Sequence, residues 1–132
     1  VWYIATEVII MNKSSLPHSH GEDNTHILEY MPDALSLEEA AGIFQQMGDP
    51  SRLRILWLLC HCEECGINIA AAVNMSSAAV SHHLKTLKLH GLIQSRRSGK
   101  EIYYRLAGSD KAQLVHRMVD DYFHLTCPSK GV

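Results

Sequence analysis

The run Ser76-Ser77-Ala78-Ala79-Val80-Ser81-His82-His83-Leu84-Lys85-Thr86-Leu87, together with the basic segment after it, constrains this chain most. A serine heading an apolar-periodic run is a helix start signal, because its hydroxyl accepts a backbone N–H left unpaired in the first turn. At ~100° per residue, Val80, Leu84 and Leu87 share one side, while Ala78, His82 and Lys85 lie opposite. Gly91 closes the helix. Leu92 to Arg97 and Glu101 to Leu106 read as a hairpin turned by Ser98-Gly99, carrying Arg96, Arg97 and Lys100. A short capped helix beside a cationic hairpin predicts a mainly α fold with a β-hairpin wing, a winged helix-turn-helix.

The flanking segments agree with that frame. Ser36 and Glu39 have capping-box spacing, and Leu37, Ala40, Ala41 and Phe44 form one stripe, so a helix is expected after Ser36 and up to Gly48. Asp49-Pro50 starts the next helix, since proline's missing N–H costs nothing at the first position. Leu53, Ile55, Leu56, Leu58 and Leu59 make it apolar on more than one side, hence central, and it should stop near Cys60-His61. A short helix over Ile67 to Val73 and a turn at Asn74-Met75 lead to Ser76 or Ser77 as the cap. A final helix is expected from Asp110 to Leu125, and its broad stripe of Leu114, Val115, Met118, Val119 and Tyr122 suits a dimer seam. The predicted organisation is a flexible arm over residues 1–33, a DNA-binding and dimerisation domain over 34–127, and a tail over 128–132. Residues 1–10 precede Met11, and whether they belong to the native protein stays open. They lack a basic leader and are too short to span a bilayer, so no membrane partner is expected.

Charge is distributed unevenly. The net charge is −2, yet residues 1–50 hold eight acidic side chains against Lys13 alone. Residues 81–105 hold Lys85, Lys88, Arg96, Arg97, Lys100 and Arg105 against Glu101 alone. A local basic patch is what phosphate binding needs, whatever the total. Ser77, Ser81, His82, Lys85 and Lys88 on the helix, with Arg96, Arg97 and Lys100 on the wing, are the candidate contacts to double-stranded DNA.

The cysteines are Cys60, Cys62, Cys65 and Cys127. Three within six residues suit a metal or redox site better than a disulfide framework. On a continuous helix Cys62 and Cys65 share a face and Cys60 points away, so the three converge only if the helix breaks near His61. Three thiolates favour Cd(II), Pb(II), Zn(II) or As(III) over hard cations. His18 or His20 of the arm are candidates to complete a tetrahedron, and His61 is read as solvent-facing. His116, Asp120 and His124, four apart, are a further set. Cys127 reads equally as a thiol ligand and as an inert tail residue.

Residues 36–125 resemble the ArsR/SmtB family of metal-responsive bacterial repressors. The resemblance rests on Gly48-Asp49-Pro50-Ser51-Arg52-Leu53-Arg54-Ile55-Leu56, Ser81-His82-His83-Leu84-Lys85-Thr86-Leu87, Gly91-Leu92, and Gly99-Lys100 with Tyr103-Tyr104. It implies a homodimeric, cytoplasmic repressor, dimerising through its first and last helices, that leaves its operator when metal binds. The family's thiolate pattern at the third helix maps onto Cys65 and Ile67, so the extra thiols here lie earlier. Its terminal-helix ligands map onto Gly108, Asp110, Asp121 and His124, leaving Asp110, Asp121 and His124 as a second, weaker site. The effector implied is Cd(II), Pb(II) or Zn(II). An arsenite-responsive three-thiolate repressor and a thiol redox or sulfide sensor are the alternatives. An enzyme is not expected, because no substrate-pocket signature accompanies the metal-ligand residues.

Overall fold

The structure, a computed structural model, describes residues 16–21 and 24–124, and its contacts divide the chain into two compact units, 1–41 and 42–132. In the first unit a single helical turn, α1 (Thr25–Leu28), is followed by α2 (Ala34–Met47), which runs on into the second. The one turn within the expected flexible arm has no signature in the sequence, being too short for any apolar period. Helix α2 also begins before Ser36. The Asp33 carboxylate accepts the Ser36 N–H at 2.8 Å, so Asp33 takes the capping role expected of Ser36.

In the second unit α3 (Pro50–His61) opens as predicted, with the Asp49 carboxylate accepting the Arg52 N–H at 2.9 Å and Pro50 in the first turn. That hydrogen bond holds the Asp49 carboxyl below its ordinary range. The Arg52 guanidinium donates to the carbonyls of Gln45 and Gln46, placing a cation on the open C-terminus of α2. The helix breaks after His61, where Cys62 is extended. Two residues, β1 (Glu64–Cys65), precede α4 (Gly66–Val73) and α5 (Ser77–Leu89). The turn between α4 and α5 rests on Asn74 at φ 54°, a left-handed conformation that asparagine tolerates. Ser76 Oγ accepts the Ala79 N–H at 3.1 Å, so Ser76 rather than Ser77 is the cap.

The wing is β2 (Ile93–Ser98) and β3 (Glu101–Leu106), antiparallel, with Ser98 opposite Glu101. The turn is therefore Gly99-Lys100, one residue later than expected, with Gly99 at φ 62°. Strand β1 adds to the other edge of β3, setting Glu64 opposite Tyr104 and Cys65 opposite Tyr103. The last helix, α6 (Asp110–Phe123), is capped by Ser109 and stops at His124, with φ 54°, short of the expected Leu125. One core unites Ile55, Leu56 and Leu59 of α3, Ile69 and Val73 of α4, Val80, Leu84 and Leu87 of α5, and Val115 and Val119 of α6. It is mainly helical with a hairpin wing, as the sequence predicts.

Candidate nucleic-acid interface and metal ligands

Helix α5 buries Val80, Leu84 and Leu87, so the geometry of a 3.6-residue turn leaves Ser77, Ser81, His82, Lys85 and Lys88 exposed. His83 is half-buried beside that face. On the wing Arg96, Arg97 and Lys100 are exposed. Lys88 donates to Ser95 Oγ at 2.7 Å, joining the helix to β2. Arg96 is engaged. Its guanidinium grips the Glu63 carboxylate through Nε and Nη2 and lies 4.7 Å from the Tyr103 ring centroid. This bidentate contact holds Glu63 below the usual carboxylate range and raises Arg96. Arg96 can reach a phosphate only by exchanging one anion for another, whereas among the described residues Arg97 and Lys100 have no ion pair.

The thiols are placed differently from one another. Cys60 is buried at the end of α3, Cys65 is buried in β1, and Cys62 is exposed between them. The Cys62 thiol donates to the Leu58 carbonyl at 3.4 Å. Partial loss of hydration, then the charge of Glu64, push this thiol up. The helix does break where convergence of the thiols requires, but their sulfurs do not form a cluster of three within 4.8 Å among the described residues. In the first unit His18 and His20 are exposed with rings stacked 6.1 Å apart. Asp110 begins α6 and Asp121 and His124 end it, all three exposed, so one copy of the helix does not gather them. Cys127 lies outside the described residues.

Among the described residues, one cluster of three metal-ligand side chains does form. His61 Nε2 lies 2.8 Å from Asp120 Oδ1, and His116 Nε2 lies 3.0 Å from Asp120 Oδ2. His61 is thus turned onto α6 and not, as its position suggested, toward solvent. The Asp120–His116 spacing is visible in the sequence. His61, 55 positions before His116, is not, because only the packing of α3 on α6 brings it there.

Comparison with known proteins places this geometry. Residues 49–95 match the arsR family of bacterial regulatory proteins. The transcriptional repressor SmtB homolog of Synechocystis sp. is 33% identical over 126 residues, which cover 83% of this chain and 96% of that one. The chain belongs to the ArsR family. The cadmium resistance transcriptional regulatory protein CadC of Listeria innocua is 40% identical over 65 residues, 48% of this chain and 55% of CadC. A homodimeric winged helix-turn-helix DNA-binding domain, Mb0332 of Mycobacterium bovis, superposes with a TM-score of 0.61 at 28% identity, over 81% of this chain and 91% of that one. This ArsR-family chain is accordingly a transcriptional regulator with a winged helix-turn-helix, and not an enzyme. No helix among its described residues is long and apolar enough to cross a membrane.

Proposed function

We propose that this protein is a metal-responsive repressor that binds operator DNA as a homodimer in the cytoplasm and is released by thiophilic metal ions, Cd(II), Pb(II) or Zn(II). The observation that carries the reading is the exposed face of α5 beside the wing. Ser81, His82 and Lys85 stand clear of the core, Lys100 lines one cleft with Ser77 and Ser81, and Arg97 is exposed on the same wing. A capped helix of this exposure enters a major groove, with wing cations on the adjacent phosphates. The repressor name of one relative supports repression, and the cadmium-resistance name of another supports a metal response.

Dimerisation is assigned to the first and last helices of the winged domain, α2 and α6. Phe44, Leu114, Tyr122 and Phe123 are large apolar side chains left exposed there, and a second copy is the surface that removes them from water. Cys62 and Cys65 are the proposed core of the metal site, with Cys60 as a further ligand. They flank Glu63-Glu64 at the end of α3, in a segment paired to the wing through β1. Asp110, Asp121 and His124 form the second, weaker set, which a dimer would draw from two copies.

The test uses operator duplexes selected by the reduced, metal-free protein from a random library. Cd(II) should release wild type, while Cys65→Ser should bind the same duplex and stay bound. Thiolate is the ligand, and the Cys62 thiol is pushed up, so protons compete with metal at neutral pH. Release should therefore need more Cd(II) as the solution is made more acidic. A Cys65→Ser protein that releases at wild-type Cd(II) concentrations would remove the thiolate site.

A further inference from the structure

We infer that His61, His116 and Asp120 form a second kind of metal site, contained within one subunit and selective for a nitrogen-preferring divalent ion of the Zn(II) or Co(II) class. The position of one proton decides the chemistry. His61 Nδ1 lies 2.7 Å from the Trp57 carbonyl oxygen, which can only accept, so Nδ1 carries the proton. In neutral imidazole the other nitrogen, Nε2, then offers a lone pair. Yet Nε2 faces a carboxylate oxygen, also an acceptor, at 2.8 Å. Two lone pairs at that distance require a cation between them.

One proton on His61 satisfies only half of the cluster. His116 Nε2 lies 3.0 Å from the other Asp120 oxygen, but it makes no hydrogen bond of acceptable geometry and is sealed from solvent. The side chains of His61 and His116 are only 6% and 15% exposed, so both rings sit largely out of bulk solvent. A single metal ion satisfies both halves, taking both Nε2 lone pairs and the carboxylate at once. The ligand atoms all lie within 4.8 Å of one another. Bonds of about 2.0–2.2 Å put tetrahedral ligand atoms roughly 3.3–3.6 Å apart, so the contacts of 2.8 and 3.0 Å need to open by about half an ångström.

The surroundings fit as well. A metal-bound histidine usually donates its other N–H to a backbone carbonyl or carboxylate, which fixes the ring and strengthens the donor. The Trp57 carbonyl already holds His61 in this way. The His61 and His116 rings meet edge to face, 5.4 Å between centroids, and Trp57 covers His61 at 4.7 Å. Two imidazoles and one carboxylate are the donor set of zinc sites with three protein ligands, and imidazole also suits cobalt and nickel. Sulfur is absent from the set, which separates it from the cysteine site. The ion would clamp the last turn of α3, next to Cys62, against the middle of α6. Binding here does not depend on the thiolate reading, and its failure would be seen in different signals.

The experiment follows the histidine ring nitrogens of the reduced, full-length protein by ¹⁵N-resolved NMR during addition of Zn(II). The Nε2 resonances of His61 and His116 should shift together while His61 Nδ1 keeps its proton. In a Co(II) titration, His116→Gln and Asp120→Asn should weaken the visible d–d band that has no accompanying sulfur charge transfer by roughly tenfold or more. That is at least the loss seen for outer-shell partners of metal sites. The thiolate charge-transfer band should be unaffected in both variants. Ring nitrogens unmoved at millimolar Zn(II), or a sulfur-free band retained at wild-type affinity in both variants, would overturn the site. The NMR titration uses wild type alone, so a misfolded variant does not remove the test.

Discussion

The two working regions of this protein are built on opposite plans. The reading head, α4 through the wing, is assembled from contiguous residues 66–106, and each piece carries its own local signal. The region around the end of α3 is assembled from residues far apart. His61 meets Asp120 59 positions on, and Glu64 and Cys65 pair with Tyr104 and Tyr103. A surface that must fit a regular duplex can be specified locally, by caps, periods and turns. A ligand cluster needs three side chains at one point, and tertiary packing supplies that point.

If the reading head is held by its own buried stripe, Leu84→Ala should have the largest effect. Leu84 is 2% exposed within the core cluster. Loss of such a side chain costs about 2–5 kcal/mol. Urea denaturation should show it, and a far smaller change would break the contrast by showing that the apolar stripe of α5 does not hold the reading head in place. Ser76→Ala should come next, at about 1 kcal/mol, because the hydroxyl satisfies one N–H of a single helix end. The same denaturation assay reads it, and the Zn(II) response of His61 should be unaltered.

The smallest effects belong to the wing and sharpen the comparison, since one long-range contact intrudes there. Arg97→Ala should reduce the slope of log K against log salt by about one unit if it neutralises one phosphate. Arg96→Ala should reduce it by less, because Arg96 already faces Glu63. Equal slopes for the two variants would show that the Glu63 contact opens freely on DNA.

The cap at Asp49, the proline after it, the stripe of α5 and the glycine that ends it are all legible in the sequence, because each is a local relation between neighbours. So is the cationic character of the wing. Strand β1 is not legible, because two residues carry no alternation and only β3 makes them a strand. The start of α2 is ambiguous because Asp33 and Ser36 are both competent caps, and the sequence does not choose between them. The wing turn differs by one residue from expectation because Ser98-Gly99 and Gly99-Lys100 both place a glycine where positive φ is needed. The thiols are legible as a cluster in sequence, but the break after His61 sends Cys60 and Cys65 into separate buried positions and leaves Cys62 outside. The role of His61 is hidden in the same way as β1, by a partner on a distant element.

The three-strand order β1-β3-β2 has a consequence for solubility. Among the described residues, strand β3 is paired with β2 along its length and with β1 at Tyr103 and Tyr104, so β1 and β2 are the outer strands of the sheet. One is β1, two residues long, too short to template another strand. The other is β2, whose outer positions include Arg96 and Arg97. Short edges and charged edges are two means by which sheets avoid joining edge to edge with other copies. The arginines offered to a phosphate backbone therefore also guard the chain against self-association through its sheet, and a variant stripped of both gives up phosphate contacts and edge charge at once.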